Sequence, residues 1–250
     1  MASLGPSEAP MRRAVGWLSG LALLLAALPA PAAAQERIDM ALVLSVDTST
    51  SVDNGEFRLQ MAGLATAFRH PSVQYAILTG APRGLAVTLV QWSGAGAQAQ
   101  VIPWILIREQ ADADRLANRI SATGRQVVGG RTALGEAMAH GVALLAELEH
   151  AALRHVIDIS GDGGSNEGRL PTEARELARS AGVQINAVAI LNEEPRLDHY
   201  FRSDVIVGPG AFLVTATDYV DFARAIRLKL VREILGTPIA FEDSGRRHYE

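Results

Sequence analysis

The sequence of 250 residues contains no cysteine. This absence excludes a disulfide scaffold, a thiolate metal site and a lipid anchor on an N-terminal cysteine. Lysine is almost absent as well, since Lys229 is the only one, and no Gly-x-x-x-x-Gly-Lys-Ser/Thr phosphate loop occurs. The Gly-x-Ser-x-Gly elbow of many serine hydrolases is also missing. The sequence therefore lacks the common motifs for nucleotide phosphate binding and for serine catalysis.

The charge balance is slightly acidic, with 23 Lys and Arg against 27 Asp and Glu and a formal net charge of −4. Proteins that bind nucleic acids or anionic membranes usually do so through strongly basic surfaces. We therefore predict that the protein binds no nucleic acid. The apolar fraction of 48% and the charged fraction of 20% are typical of a globular protein.

The N-terminal 34 residues have the layout of a secretory signal peptide. Arg12 and Arg13 precede an apolar stretch, Ala14 to Leu28, and small residues follow it. An Ala-x-Ala site predicts cleavage between Ala34 and Gln35. A retained membrane anchor is the alternative, but the apolar stretch is short for a span. We predict an exported bacterial protein, periplasmic or secreted, with no stable membrane insertion after cleavage.

Strand-like and helix-like segments alternate along the remaining chain. The first strand, at about residues 38–46, is apolar almost throughout, as in a central parallel strand covered on both faces. The segment 71–80 is compatible with a helix or a strand, and its start and stop residues favour a helix. Later strands are predicted at 155–160, 183–191 and 211–217, and helices at about 57–68, 109–123, 134–145, 171–181, 195–201 and 218–234.

Two further β-rich runs, GLAVTLVQWSG and QAQVIPWILI, are separated by a small turn and predict a hairpin. Pro103 places the second run at a sheet edge, because proline cannot donate a backbone hydrogen bond. The whole pattern predicts an α/β fold: a doubly wound, mostly parallel sheet with one antiparallel edge strand and helices on both faces, Rossmann-like. The predicted organisation is a signal peptide (1–34), one domain (35–235) and a C-terminal tail (236–250).

The string SVDTSTS at residues 45–51 places Asp47 and four consecutive hydroxyl residues directly behind the first strand. Three explanations are open: a helix cap, a nucleophile, or a ligand set for a hard cation. Asp53 and Glu56 have capping-box spacing, so Asp53 and not Asp47 is predicted to cap the following helix. The string alone is weak evidence for a metal site, so the choice among these three explanations depends on the other loops.

Two other loops are predicted to reach the same edge of the sheet. Asp162 follows the strand HVIDIS, and Thr132 stands at the start of a helix. Loops at the carboxyl ends of parallel strands converge. Thr132 and Asp162 would therefore lie beside Asp47, Ser49 and Ser51. Together the five side chains supply two carboxylates and three hydroxyls. Oxygen ligands without His or Cys suit Mg²⁺ or Mn²⁺ and not zinc. Neutral hydroxyl ligands leave the cation incompletely neutralised, so it binds an added acidic ligand strongly.

Asp47-x-Ser49-x-Ser51, then Thr132 and then Asp162, in this order along an alternating β/α chain, resembles the metal-ion-dependent adhesion site (MIDAS) of the von Willebrand factor A (VWA) domain family. The resemblance covers nearly the whole chain after residue 34. It implies that Asp47, Ser49 and Ser51 are the first-loop metal ligands, Thr132 the second-loop ligand and Asp162 the third-loop ligand. The strings VDTSTSVDNGEF, VQWSG and DISGDG are similar to an exported bacterial group of VWA-like proteins with no assigned function.

By this resemblance, a bound Mg²⁺ or Mn²⁺ holds an acidic group of an unidentified partner protein, and the protein is not an enzyme. The alternative is a metal-assisted phosphoryl-transfer or hydrolytic enzyme, with Asp47 as nucleophile or metal ligand. Lys229, predicted on the last helix, is poorly placed for phosphate binding.

Two further sets of titratable residues are not assigned to the metal site. Asp158 lies inside a strand and is predicted to be a buried structural carboxylate bonded to backbone or hydroxyl groups. The six histidines show no metal-ligand spacing, and we expect them to be exposed or hydrogen-bonded.

Overall fold

The computed structural model describes residues 1–2 and 36–236. The chain divides between Ala34 and Gln35 into two units, and the helices and strands described below belong to the second. Apart from residues 1–2, the predicted signal peptide lies outside the described residues, as does the predicted C-terminal tail beyond residue 236. Within the described ranges, no helix is both long and apolar enough to cross a bilayer.

The second unit is built on a six-stranded sheet. Its strands are β1 (Arg37–Asp47), β2 (Leu85–Trp92), β3 (Gln98–Ile107), β4 (Ala151–Gly161), β5 (Gln184–Ile190) and β6 (Leu213–Ala216). They lie in the order β3-β2-β1-β4-β5-β6. All neighbouring pairs are parallel except β2 and β3, which are antiparallel at the edge. The predicted sheet, including the edge strand that contains Pro103, is therefore confirmed.

Helices cover both faces of this sheet. They are α1 (Asn54–Arg69), α2 (Pro71–Gly80), α3 (Gln110–Ala122), α4 (Leu134–Ala146), α5 (Pro171–Ser180), α6 (Leu197–Tyr200) and α7 (Phe222–Leu235), with a π-helical turn at Phe201–Val205. Helices α1, α2, α3 and α7 pack on one face, and α4, α5 and α6 on the other. Strand β1 supplies both cores, because Leu42 and Leu44 point to the first face and Ala41 and Val43 to the second.

The boundaries differ from the sequence-based prediction where local hydrogen bonds decide them. Helix α7 begins at Phe222 and not at Asp218, because the preceding residues form a turn in which the Asp221 backbone N–H donates to Asp218 Oδ1 at 2.8 Å. Strand β4 begins at Ala151, four residues earlier than predicted. The segment 71–80 is a helix, as favoured, with Pro71 in its first turn and the His70 side chain as its cap.

Helix α1 begins with the predicted capping box. Asp53 Oδ1 accepts hydrogen bonds from the backbone N–H groups of Gly55 at 2.6 Å and Glu56 at 2.8 Å. The Glu56 side chain in turn accepts from the Asp53 N–H at 2.8 Å. Such a cap contributes about 1 kcal/mol to helix stability. Asp47 is therefore not needed as a cap, and its carboxylate is left for another role.

Candidate metal centre

Asp47 and Asp162 lie where the strand order reverses. Asp47 is the last residue of β1, Asp162 follows the last residue of β4, and these two strands are parallel neighbours. Ligands bind preferentially at this point of a doubly wound sheet. Both aspartates are fully buried. A Cβ atom on Gly161 would lie 3.2 Å from Asp47 Oδ2, so glycine at this position lets the two strand ends approach.

The first loop directs its oxygen atoms toward Asp162. The backbone N–H of Ser49 donates to Asp47 Oδ1 at 2.7 Å, which turns the loop back over the end of β1. The hydroxyl oxygens of Ser49 and Ser51 are 3.1 Å apart. The Ser51 hydroxyl donates to Asp162 Oδ1 at 2.9 Å. Four of the five sequence-predicted residues are therefore joined by one chain of polar contacts.

Thr132, the fifth residue, is held against the third loop through its backbone. Its N–H donates to Asn166 Oδ1, and its C=O accepts from the Asn166 N–H, both at 2.9 Å. The second loop also contacts the first, because the Thr50 N–H and hydroxyl donate to the Gly130 carbonyl at 3.0 and 2.7 Å. The structure thus brings all three predicted loops together.

Each aspartate of the site keeps one oxygen atom without a partner. Among the described residues, Oδ2 of Asp47 and Oδ2 of Asp162 are buried and accept no hydrogen bond. Burial and the nearby charge of Asp162 raise the pKa of Asp47 to about 7, against the lowering effect of Ser49 and Arg125. Buried carboxylates without compensation are costly unless a cation or a proton neutralises them. The donor set therefore fits a divalent cation.

The chemistry of the set favours a hard cation. Within the described ranges, no group of three or more His, Asp or Glu side chains could hold a metal ion. A metal at this edge would depend on two carboxylates together with hydroxyl oxygens. Such ligands suit Mg²⁺ and Mn²⁺ better than Zn²⁺.

Three residues around the site had not been identified from the sequence. Arg125 donates from Nη2 to the carbonyl oxygens of Thr48 at 2.7 Å and Ser49 at 3.0 Å, which fixes the first loop. Nothing in its surrounding sequence indicates this role. Asn166 fixes Thr132, and it lies in a loop with no regular pattern.

Gln60 is the third. Its Nε2 donates to the Asp47 carbonyl at 3.2 Å, and its Oε1 accepts from the Ser160 hydroxyl at 3.2 Å. It therefore connects the ends of β1 and β4. The sequence does contain a signal for Gln60, because this polar residue falls on the apolar face of α1 beside Phe57 and Met61.

Asp158 is buried as predicted, but its partner is different. Asp158 Oδ2 lies 2.7 Å from Nζ of Lys229, which also donates to Glu233 at 3.0 Å. Burial raises the pKa of Asp158, and the charge of Lys229 lowers it. The predicted partners were backbone or hydroxyl groups, and this detail is wrong because two turns of α7 place Lys229 and Glu233 over β4. Lys229 is fully buried.

One of the histidines also departs from expectation. Nε2 of His140 is buried without a hydrogen-bond partner among the described residues, and burial lowers the pKa of its ring. It lies on α4, which covers the sheet face opposite to α1 and α7.

A family model described as "Protein of unknown function (DUF1194)" matches residues 37–238. A comparison with curated protein sequences gives no match. Similar solved structures include proximal thread matrix protein 1 from the mussel byssus, with a zinc-occupied MIDAS motif. Its TM-score is 0.54 and its identity 13%, over 80% of this chain and 48% of that chain.

Two bacterial structures are similar to the same extent. A von Willebrand factor type A protein from Catenulispora acidiphila has a TM-score of 0.53 and 16% identity, over 79% of this chain and 43% of that chain. The pilus adhesin SpaC from Lactobacillus rhamnosus GG has a TM-score of 0.53 and 15% identity, over 79% and 30%. This chain therefore spans less than half the length of each structure. The predicted VWA-like fold is confirmed.

Proposed function

This chain belongs to the family of proteins of unknown function DUF1194 and has a VWA-like fold, and we propose that it is a divalent-metal-dependent protein-binding module. The proposed metal is Mg²⁺ or Mn²⁺, and the proposed partner is a protein that presents an acidic group. The proposed metal ligands are Asp47, Ser49, Ser51, Thr132 and Asp162.

The unpartnered oxygens of the two buried aspartates carry this proposal. Asp47 Oδ2 and Asp162 Oδ2 are enclosed at the ends of neighbouring strands, and neither accepts a hydrogen bond. Keeping two such carboxylates in one buried place is unfavourable in the absence of a positive charge. A cation-binding role supplies the reason for their retention, whereas a helix cap does not, since Asp53 performs that function.

The donor set also supports binding of an acidic partner. One oxygen of each aspartate is already hydrogen-bonded, Asp47 Oδ1 by the Ser49 N–H and Asp162 Oδ1 by the Ser51 hydroxyl. These hydrogen bonds fix the orientation of the two carboxylates, and the other three proposed ligands are neutral hydroxyls that add no negative charge. A cation bound by such ligands supplies a positive docking point for a further carboxylate.

Arg131 supplies a second positive group next to this position. It is exposed, directly precedes Thr132, and its Nε donates a long hydrogen bond of 3.5 Å to Asn166 Oδ1. We assign it a role in attracting the acidic group of the partner. Exposed charges of this kind mainly raise the rate of association.

Known structures of the same fold support the general class of function. One is a byssus matrix protein with a zinc-occupied MIDAS motif, and another is a pilus adhesin. By analogy, we propose that this protein also acts outside the cytoplasm, as the predicted signal peptide suggests, and that it binds and does not catalyse.

Calorimetric titration of Mg²⁺ and Mn²⁺ into the purified protein tests the metal site. We expect one saturable site, lost in the Asp47→Ala variant. Asp39→Ala is the matched control, because Asp39 lies near the opposite end of β1 and pairs with Arg83. Zn²⁺ is titrated in parallel. We expect its affinity for this all-oxygen site to be lower than is usual for zinc sites with His or Cys ligands. Absence of Mg²⁺ and Mn²⁺ binding in the folded parent would contradict the proposal.

Partner binding is tested by capture from an envelope extract with Mg²⁺ and with chelator. A specific partner should be retained only with Mg²⁺ and lost with Thr132→Ala. Thr79→Ala is the control, since this hydroxyl lies on α2 and donates to the Tyr75 carbonyl of the same helix. Retention that is equal with chelator would show that binding does not use the metal.

The enzymatic alternative has its own test. Metal-dependent release of phosphate from a model ester, lost on Asp47→Ala, would favour phosphoryl transfer. We expect no release, because Lys229 is buried against Asp158 and Glu233 and is not available to phosphate.

A further inference from the structure

Tyr219 lies in the segment between β6 and α7, outside the three loops that supply the predicted ligands. Its side chain is 3% exposed, and its ring belongs to the same apolar cluster as Val52 and Phe57. Its hydroxyl is buried and forms no hydrogen bond with the described residues. Buried hydroxyl groups in folded proteins are nearly always hydrogen-bonded, so the acceptor that lies nearest to this hydroxyl identifies its partner.

The Tyr219 hydroxyl faces the candidate metal site. Burial is the largest cause that raises the pKa of Tyr219, followed by the charges of Asp162 and Asp47 and by a side-chain contact of the hydroxyl with Asp162. A phenol has an ordinary pKa of about 10, so it carries a proton to donate at neutral pH. Asp162 Oδ2 is likewise buried and unpartnered. The Tyr219 hydroxyl is thus a donor in contact with the Asp162 carboxylate, whose Oδ2 has no other partner among the described residues, although the contact does not reach the geometry of a full hydrogen bond.

The backbone around Tyr219 is fixed by the turn that precedes α7. The Thr217 N–H donates to Asp221 Oδ2 at 3.1 Å, and the Asp221 N–H donates to Asp218 Oδ1 at 2.8 Å. Arg224 binds both carboxylate oxygens of Asp221 at 2.6 Å. A rigid turn of this kind holds a side chain in a defined position with little loss of entropy on binding.

We propose that Tyr219 is a positioning residue of the metal site, whose neutral hydroxyl donates a hydrogen bond to the Asp162 carboxylate when the cation is bound. This inference rests on the proposed function. Hydrogen bonds to a ligating carboxylate fix its orientation and are a major determinant of metal affinity. A phenol does so without adding a positive charge that would repel the cation. The start of α7 is thereby connected to the site.

The experiment compares the parent protein with Tyr219→Phe in titrations with Mg²⁺ alone. Affinity is measured by calorimetry, and the environment of tyrosine is followed by ultraviolet difference absorbance. The parent should show a tyrosine difference signal that saturates with Mg²⁺. In the variant this signal should be lost, and affinity should fall about tenfold, as for other residues that orient metal ligands.

Tyr75→Phe is the matched control, because Tyr75 lies on α2 with a side chain that is 65% exposed. It should keep both the affinity and the difference signal of the parent. Tyr219→Phe keeps the buried ring, so its metal-free melting temperature should match that of the parent. This comparison separates positioning from packing.

The outcomes distinguish this inference from the function on which it rests. A Tyr219→Phe variant with the Mg²⁺ affinity and the difference signal of the parent would overturn the role of Tyr219 and leave the metal site intact. A folded parent without Mg²⁺ binding would overturn the proposed function, and this inference with it.

Discussion

Replacing the only lysine of the chain, Lys229, with methionine should strongly destabilise the fold. Its Nζ lies 2.7 Å from Asp158 Oδ2 and 3.0 Å from Glu233 Oε1, and all three side chains are buried. Methionine has a similar volume but no charge, so the substitution removes the cation that contacts both carboxylates and preserves the packing. Loss of one partner of a buried ion pair costs about 3 to 5 kcal/mol.

The loss of stability caused by Lys229→Met should increase as the pH rises. In the variant, burial raises the pKa of Asp158 without the opposing effect of the Lys229 charge, so the folded state binds more protons than the unfolded state. The free energy of unfolding therefore falls as pH rises from about 5 to about 8. In the parent, Lys229 lowers the pKa of Asp158 and reduces this slope. For a domain of this size, the loss corresponds to roughly 6 to 20 °C in melting temperature.

Urea unfolding of parent and variant at about pH 5 and about pH 8 measures both quantities. A triple variant, Lys229→Met with Asp158→Asn and Glu233→Gln, is the control, because it removes all three charges and should recover most of the stability. A loss below about 1 kcal/mol without a pH slope would refute the reasoning, since it would mean that the carboxylates are not enclosed by α7 and the sheet.

Three further substitutions test the site and its support. Asp47→Asn should abolish Mg²⁺ binding in calorimetry and raise the metal-free free energy of unfolding by about 1 to 3 kcal/mol, because it removes one of two buried like charges; a metal-free variant less stable than the parent would contradict this. Asp53→Ala should cost about 1 kcal/mol in urea unfolding through loss of the α1 cap, and no change would mean that the cap is redundant. Gly135→Ala should cost at least about 2 kcal/mol, since its Cβ would lie 2.1 Å from the Arg169 carbonyl oxygen; a fully stable variant would show that the 169–170 segment moves freely.

The fold could be predicted from the sequence because its signals are local. A nearly continuous apolar strand at residues 38–46, the hairpin with Pro103 and the regular alternation of elements define a doubly wound sheet with one antiparallel edge. The convergence of the candidate site residues could also be predicted, since Asp47 ends one strand, Asp162 directly follows another, and the parallel arrangement of these strands brings their ends together.

Other features depend on contacts between elements that are distant in sequence. Lys229 reaches Asp158 only because α7 packs on the sheet face to which Asp158 points, and no spacing rule connects a helix with a strand so far from it in the chain. Arg125 contacts backbone carbonyls, which carry no sequence signature. Tyr219 faces the site because the turn before α7 is short and rigid, and a single tyrosine in a polar segment does not indicate that.

The buried carboxylates of the domain lie in two different electrostatic environments, and this difference bears on function. On the α7 side of the sheet, Asp158 and Glu233 share the charge of Lys229 within the protein itself. At the carboxyl edge, Asp47 and Asp162 have no such internal cation in contact among the described residues, and each keeps an unpartnered buried oxygen. Two ionised carboxylates in this position therefore need a positive charge from elsewhere, and the proposed cation would supply it.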